Sequence, residues 1–280
     1  MIAEPLALPS SGAARSDRVL SPDKSSPRSV RRAFVGTAGW KVPSRYASEF
    51  CATGSDLERY ARRLNAVEIN SSFYRAHWHP THERWARAVP SDFRFSVKIP
   101  REITHERRLT ASDEQLDRFA SDVSGWGAHL GALLVQLAPS LAYNAASANK
   151  FFDDFRTRID KRVDLACEPR HHSWFTAEAD AFFRAHEVAR LAADPPRSEK
   201  DGQPGGSADL NYYRLHGSLQ IYYSNYARAA LERLRRELDA SGVRTRATWC
   251  IFDNSAAFVA LGNALTVAAR SCASSHSWCP

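Results

Sequence analysis

Short runs of apolar, β-branched or aromatic residues recur eight times along this 280-residue chain, and a helix-like stretch follows nearly every run. The runs begin about 30 residues apart, which is the length of a strand together with a crossover helix. Because each crossover returns the chain to the same end of the sheet, this alternation predicts parallel strands. The predicted strands occupy residues 34–37, 66–69, 93–99, 132–137, 163–168, 188–193, 211–215 and 248–252.

Helices are predicted between these strands, with one exception. Ser112 precedes Gln115 by three positions, which is the spacing of a capping box at a helix N-terminus. The segment 195–209 is rich in proline and glycine, so we expect the sixth helix to be reduced or replaced by a loop. The predicted helices occupy residues 55–64, 80–88, 112–129, 146–158, 176–186, 226–240 and 255–269.

The number of strands and the length of the chain favour one fold class. Eight strands and about 240 structured residues match the TIM (β/α)8-type barrel of the α/β class. The alternative is an open doubly wound sheet, which usually carries the pattern GxGxxG in its first turn, whereas residues 36–40 read GTAGW. We therefore predict a barrel domain over residues 33–270. Residues 1–32, rich in Ser, Pro, Ala and Arg, are expected to be a disordered N-terminal tail, and residues 271–280 a C-terminal tail.

The composition restricts the class of partner. The net charge of +7 favours an anionic partner, either an anionic small molecule or nucleic acid. No run approaches the ~20 apolar residues of a membrane span, so no membrane partner is expected. The five cysteines lack metal-ligand spacing, and Cys167 and Cys250 lie in predicted strands where they should be buried. With no signal-peptide pattern, these features predict a cytoplasmic protein.

Every predicted strand ends in a polar or charged residue, and in such barrels the site lies at the C-terminal ends of the strands. Charged groups are costly to bury unless they are paired, so several of them at one mouth predict a polar site. The alternative for Glu68 is a simple ion pair with Arg170 or Lys98. An ion pair with Glu68 is likewise favoured for Lys98 over a Schiff-base role. The strand-end residues are Thr37, Glu68, Asn70, Lys98, Gln136, Glu168, Arg170, Asp194, Arg214, His216, Asp253 and Asn254.

Loops after the strands add aromatic and cationic residues to the same mouth. Trp40, Tyr74 and Tyr222 would wall a pocket, and the loop 100–109 contributes Arg101 and further cations. Cations interleaved with aromatic rings suit a ligand that carries phosphates and flat rings. The sequence contains no P-loop and no HExxH, CxxC or GxSxG motif. The histidines at 77, 79 and 82 carry little weight as metal ligands.

Several strand-end segments resemble the DUF72 family, whose members are also called YecE-like proteins. They are GTAGW at 36–40, NAVEINSSFY at 65–74, RFSVK at 94–98, EPRH at 168–171, RLHG at 214–217 and FDN at 252–254. The resemblance implies a TIM barrel with a polar pocket at the strand ends. It implies no particular reaction.

The residues together predict an enzyme that acts on an anionic, phosphate-bearing substrate, with hydrolysis as the candidate reaction. One alternative is a nucleic-acid-binding protein or nuclease-like phosphodiesterase, and another is a non-catalytic barrel that binds a small anion. No cofactor is assigned, although a divalent metal on Glu68, Glu168 and Asp253 stays open. The predicted catalytic residues are Glu68, Glu168, His216 and Asp253. The predicted substrate-binding residues are Trp40, Asn70, Tyr74, Lys98, Arg170, His171, Arg214, Tyr222 and Asn254.

Overall fold

The apolar runs form two sheets in the computed structural model, which describes residues 33–269 apart from the side chains of residues 243 and 244. The predicted tails, 1–32 and 271–280, lie outside these residues. The strands are β1 (Phe34–Thr37), β2 (Ala66–Ile69), β3 (Arg94–Lys98), β4 (Leu130–Gln136), β5 (Asp164–Glu168), β6 (Val188–Arg190), β7 (Ala192–Asp194), β8 (Gly205–Gly206), β9 (Leu210–Leu215) and β10 (Ala247–Phe252).

One sheet has the order β1–β10–β9–β7, and the other has the order β2–β3–β4–β5–β6–β8. The pairing is parallel throughout except between β6 and the two-residue strand β8, which is antiparallel and was not predicted. The α/β class with parallel strands is therefore confirmed. Among the described residues the hydrogen-bonded ladders form two sheets and not one continuous ring.

The two sheets meet at two places. An isolated parallel bridge between Ala38 and Glu68 links the ends of β1 and β2. The predicted strand 188–193 is split at Leu191, so that β6 belongs to one sheet and β7 to the other. The Leu191 amide donates to the carbonyl of Cys167 at 2.9 Å, which keeps the junction close to β5.

The helices follow the predicted order, with ends shifted by a few residues. They are α1 (Asp56–Ala61), α2 (His79–Arg87), α3 (Asp113–Ser124), α4 (Ala145–Arg158), α5 (Ala177–Ala185), α6 (Arg228–Arg244) and α7 (Ala260–Ala268). The predicted capping box is confirmed, since Ser112 accepts from the Gln115 amide while the Gln115 side chain accepts from the Ser112 amide. Within the described part of the chain no helix lies in segment 195–209, as predicted. None of the described helices has the length and apolarity needed to cross a bilayer.

Buried apolar residues form two clusters. The larger one packs the helices onto the strands and contains Cys167 and Cys250, whose predicted burial is confirmed. The smaller cluster draws almost all of its residues from strands of both sheets, such as Ala66 of β2 and Tyr212 of β9. Since side chains alternate along a strand, a residue two positions after a member of this cluster points to the same interior.

Candidate ligand-binding site at the strand ends

Alternation along the strands explains why charged residues are buried here. Side chains two positions apart lie on the same face of a strand, so each polar residue continues the inward face of an apolar neighbour. The sequence can thus place ionisable groups next to a hydrophobic interior without any loop. The pairs are Ala66 and Glu68, Leu134 and Gln136, Ala166 and Glu168, and Tyr212 and Arg214.

Arg214 lies at the centre of the buried charges and is 1% exposed. Its Nη2 is 2.8 Å from Oε1 of Glu68 and 2.9 Å from Oδ2 of Asp253, and its Nη1 is 3.2 Å from Oε2 of Glu168. Burial opposes its charge, but Asp253, Glu68 and Glu168 together raise the pKa of Arg214 well above its ordinary value. One guanidinium therefore joins carboxylates from β2, β5 and the end of β10.

Glu68 is held next to the guanidinium by the hydroxyl of Tyr212, which is itself bonded to the hydroxyl of Ser96. The Tyr212 hydroxyl donates to Oε2 of Glu68 at 3.0 Å, and the Ser96 hydroxyl is 2.8 Å from the Tyr212 oxygen. Burial, together with the charge of Glu68, raises the pKa of Tyr212 well above its ordinary value, so the phenol stays protonated. Glu68 is consequently saturated with donors and fixed in position.

Glu168 accepts hydrogen bonds from three side chains. In addition to Arg214, Gln136 donates to its Oε2 at 2.8 Å, and Arg170 donates to its Oε1 through Nη2 at 2.8 Å. Burial alone would raise the pKa of Glu168, but the charge of Arg214, the nearby imidazole of His216 and the charge of Arg170 lower it well below its usual range. Such a carboxylate is a poor proton donor at neutral pH.

His216 joins Asp253 to Glu168. Its Nδ1 is 3.0 Å from Oδ2 of Asp253, and its Nε2 is 3.7 Å from Oε1 of Glu168. Burial lowers the pKa of the imidazole, but the hydrogen bond to Asp253 and the nearby carboxylate of Glu168 outweigh burial and raise it. The pKa of Asp253 is lowered, because Arg214 and His216 outweigh its own burial. The pair therefore favours an imidazolium next to a carboxylate.

A cleft of about 550 Å³ opens above this network. Lys98, Arg101, Arg170 and Arg214 line it, and Asp253 is the carboxylate found among the described lining residues. The cleft is thus mainly cationic, although three carboxylates lie at or beneath its floor.

The ion pairs around Lys98 and Glu68 differ from those suggested by the sequence. Glu68 pairs with Arg214, and Arg170 pairs with Glu168. The suggested ion pair of Glu68 with Arg170 or Lys98 is therefore not formed. Within residues 33–269 Lys98 has no ion-pair partner, and its Nζ instead lies 3.9 Å from the centroid of the Phe73 ring. Burial and the charge of Arg214 lower the pKa of Lys98 to about 8, although nearby carboxylates partly oppose this.

His105 adds a neutral ring to the same cleft. Burial and the charges of Lys98 and Arg170 lower its pKa to about 4, so the imidazole is uncharged at neutral pH. Its Nδ1 is 2.9 Å from the hydroxyl of Thr104. His105 therefore adds hydrogen-bonding capacity without adding charge.

A second hollow, of about 500 Å³, adjoins the cleft. Asn70 and Ser255 line both spaces, while Trp40 and Glu68 line only the second hollow. His171, predicted to bind substrate, instead lines a third hollow of about 340 Å³ that it shares with Arg170. The predicted residues therefore surround several connected spaces and not one mouth.

Most of the predicted site residues come together, but they do not all face the open space. Glu168, His216 and Asn254 line none of these described hollows, and the Asn254 amide donates to the Ser224 carbonyl at 2.9 Å. The predicted residues that line the cleft are Asn70, Tyr74, Lys98, Arg170, Arg214, Tyr222 and Asp253. Lining residues outside the predicted set include Arg101, His105, Gln136, Tyr223, Ser255 and Phe258. The cationic loop and the strand-end rule already pointed to the first three, whereas no sequence signal pointed to Phe258.

The carboxylates that could hold a divalent metal are already engaged by Arg214. Its guanidinium contacts Glu68, Glu168 and Asp253, which were the suggested ligands. Within the residues that the structure describes, no group of three or more His, Cys, Asp or Glu side chains has the arrangement of a metal site. The same finding covers the histidines at 77, 79 and 82, which are among the residues searched.

Comparison with known proteins shows the family of this chain. A family model described as "Protein of unknown function DUF72" matches residues 34–277, which include every strand of both sheets. The chain belongs to the DUF72 family. Among curated relatives, this DUF72 chain is 28% identical over 143 residues to the UPF0759 protein YecE of Escherichia coli K12, covering 51% of this chain and 50% of YecE. It is 22% identical over 181 residues to the UPF0759 protein YunF of Bacillus subtilis, covering 61% of this chain and 64% of YunF.

Thus the DUF72 chain spans about half the length of YecE and less than two thirds of YunF. Solved structures of DUF72 family proteins share its fold. One from Thermotoga maritima has a TM-score of 0.69 at 21% identity, covering 85% of this chain and 98% of the other. One from Enterococcus faecalis V583 has a TM-score of 0.69 at 20% identity, covering 83% of this chain and 92% of the other. At these identities the likeness concerns the fold alone.

Proposed function

We propose that the DUF72 chain is an enzyme that binds and converts an anionic, phosphate-bearing substrate at the C-terminal ends of its strands. The observation that carries this proposal is Lys98, a buried cation on the cleft wall that has no ion pair within the described residues. A buried cation that contacts an aromatic ring and no carboxylate is costly, and an anionic ligand would supply the missing negative charge. Arg101 and Arg170 line the same cleft and would hold the same anion.

Proton transfer is assigned to Asp253 and His216. Asp253 lines the cleft and is bonded to His216, so it can contact both substrate and the imidazole. Glu68 and Glu168 are held by Arg214 and other donors, which suits them to positioning Arg214 and His216. In this proposal a proton that Asp253 takes from the substrate moves on to Nδ1 of a neutral His216, because the lowered pKa of Asp253 and the raised pKa of His216 favour the proton on the imidazole.

The binding step is tested with inorganic phosphate and the conversion step with p-nitrophenyl phosphate and bis(p-nitrophenyl) phosphate. Phosphate should raise the thermal unfolding temperature of the wild type and have little effect on Lys98→Met. Asp253→Asn should lose turnover yet bind phosphate at least as tightly, because a repelling carboxylate is removed from the cleft. The matched control is Asp154→Asn, which breaks an exposed pair with Lys150.

The outcomes separate the alternatives. Equal turnover in Asp253→Asn and Asp154→Asn would exclude Asp253 as the proton-transfer group. Phosphate binding without turnover of any ester would favour a non-catalytic anion-binding protein. If phosphate has the same effect on Lys98→Met as on the wild type, or no effect on either, the anion-binding proposal is wrong.

We further propose that the two sheets are parts of one closed TIM-type barrel, formed by residues 33–270. The bridge between Ala38 and Glu68 and the split at Leu191 lie at the two junctions where closure is needed. The ion pair between Glu68 of β2 and Arg214 of β9 crosses from one sheet to the other, as does the small apolar cluster. The Gly39 amide donates to the Glu68 carbonyl at 2.9 Å across the first junction, so it should be protected from hydrogen exchange as well as the amides inside the strands are, if the junction is closed. Rapid exchange of this amide would argue for an open arrangement.

Nucleic acid is the second candidate ligand, and exposed aromatic rings near the cleft favour it. Tyr74 and Trp78 are 78% and 77% exposed on the segment after β2, and Arg75 lies between them. Exposed aromatic rings with neighbouring cations suit unstacked bases and phosphates. The test is fluorescence anisotropy with a single-stranded oligonucleotide over a range of salt concentrations. Affinity that falls steeply with salt would support this candidate, and no binding at low salt would exclude it.

A further inference from the structure

The second hollow next to the cationic cleft differs from it in chemistry. Its wall includes Trp40, Ile69, Phe258 and Leu261, whereas the cleft wall is mainly cationic. Asn70 belongs to the walls of both, so the two spaces adjoin at this residue. A ligand that extends across both spaces would need an anionic end and an apolar end.

Two aromatic rings give the hollow a defined shape. Trp40 packs edge-on against Trp85, with ring centroids 4.9 Å apart and an interplanar angle of 74°, which fixes the indole. Phe258 is 46% exposed and has a φ of 55°, a left-handed conformation that a bulky residue rarely adopts. Backbone strain of this kind persists where the surroundings hold it, and it is found preferentially at ligand sites. Here it keeps an aromatic ring at the edge of the hollow.

Asn70 supplies an unused polar atom at the point where the spaces meet. Its side-chain oxygen is buried and has no hydrogen-bond partner among the described residues. A buried acceptor without a donor is unfavourable, so the atom is suited to an N–H or O–H group of a ligand. A hydrocarbon chain in the hollow would leave this oxygen without a donor. A flat ring with polar edges, or a sugar attached to it, would provide one.

We infer that the hollow is a ring-binding subsite, and that the substrate is nucleotide-like. Its phosphate occupies the cationic cleft, its heteroaromatic ring lies against Trp40 and Phe258, and a ring or sugar donor bonds to the Asn70 oxygen. The phosphate end of this assignment rests on the function proposed above. The ring end rests on the hollow itself.

The test compares ligands that carry both groups or only one. Calorimetric titrations of the full chain use the four ribonucleoside 5′-monophosphates, ribose 5-phosphate and adenosine. At least one nucleotide should bind about tenfold or more tightly than ribose 5-phosphate, which is the size of effect expected from stacking one base. Phe258→Ala should abolish that difference and leave the affinity for ribose 5-phosphate unchanged.

Variants at exposed positions keep the test independent of folding. Phe258 is partly exposed and Leu219 is 95% exposed outside the cleft and the hollow, so Leu219→Ala serves as the matched control and should bind as the wild type does.

The results separate this inference from the function on which it partly rests. If every nucleotide binds no more tightly than ribose 5-phosphate, the ring subsite is wrong while anion binding stands. If adenosine binds in a manner that depends on Phe258 and no phosphate compound adds affinity, the ring subsite stands and the proposed anion site is wrong. If none of the compounds binds, both are overturned.

Discussion

Arg214 of β9 and Glu68 of β2 form a buried ion pair, with Nη2 2.8 Å from Oε1, between strands that belong to different sheets. The residues are 146 positions apart in the sequence, and both are almost fully buried. The same guanidinium also contacts Glu168 and Asp253. One side chain therefore neutralises acidic groups from several strands, and the arrangement of the floor of the cleft depends on it.

Replacing Arg214 by methionine should strongly destabilise the protein. The side chain keeps a similar length but loses its charge, so Glu68, Glu168 and Asp253 lose their common partner inside the protein. Breaking a buried ion pair from one side costs about 3–5 kcal/mol. Urea unfolding followed by tryptophan fluorescence would measure the change in the free energy of unfolding at pH 7.

The control for Arg214 is Arg228→Met, which removes an exposed pair with Glu232 on α6. Surface substitutions of this kind usually change stability by about 0.5 kcal/mol or less. If Arg214→Met unfolds at the same urea concentration as Arg228→Met, the central role of Arg214 is wrong.

The neighbouring tyrosines 212 and 213 provide a matched pair of substitutions. Tyr212→Phe removes the donor to the buried Glu68 and should cost about 1–3 kcal/mol, because the carboxylate oxygen cannot reach water. Tyr213→Phe removes a hydrogen bond to Glu237, which is exposed and can bind water instead. Urea unfolding of both variants should show the larger loss for Tyr212→Phe, and equal losses would contradict the buried network.

Several parts of this arrangement could be predicted from the sequence, because side chains alternate between the two faces of a strand. The period of two places Glu68, Glu168 and Arg214 on inward faces once the strands are recognised. The ion-pair partners could not be predicted, because they depend on distances between strands that are far apart in the chain. For that reason Arg170 and Lys98 were expected to pair with Glu68, whereas the structure pairs it with Arg214.

The second hollow was missed for a different reason. Phe258 contributes to it through a left-handed backbone conformation that nothing in the local sequence indicates. The break at Leu191 was likewise hidden, since residues 188–193 read as one strand that contains no proline or glycine. Both features depend on how neighbouring elements fit together and not on local propensity.

Stability should depend on pH on both sides of a plateau. The pKa values of Glu168 and Asp253 are lowered by folding, so their contribution is present above the ordinary values of 4.5 and 3.8 and is lost as the pH falls through the lowered values. The pKa of His216 is raised, so its contribution is complete below 6.5 and is lost as the pH rises through the raised value.

The variant His216→Gln isolates the alkaline part of this dependence. The difference in unfolding free energy between the wild type and His216→Gln should be largest below pH 6.5 and should shrink as the pH rises. Taking the difference removes the contribution of Lys98, which titrates nearby in the opposite sense. A difference that stays constant from slightly acidic to alkaline pH would show that folding does not raise the pKa of His216, and a difference that grows with pH would show that the folded protein keeps the imidazole neutral.

Lys98 should trade stability for anion affinity. Folding lowers its pKa from 10.5 to about 8, so the amine is still mostly charged at pH 7, but the folded protein holds that charge less favourably than the unfolded chain does. Lys98→Met should therefore make the ligand-free protein more stable while weakening its binding of sulfate, whose charge does not change near pH 8.

In the wild type, sulfate affinity should fall as the pH rises through about 8, whereas Lys98→Arg should retain its affinity because arginine stays charged. Calorimetry of sulfate binding on both sides of pH 8 measures this, with the exposed Lys150→Met as the control. If the wild type and Lys98→Arg show the same pH profile, the ammonium of Lys98 does not contribute to anion binding.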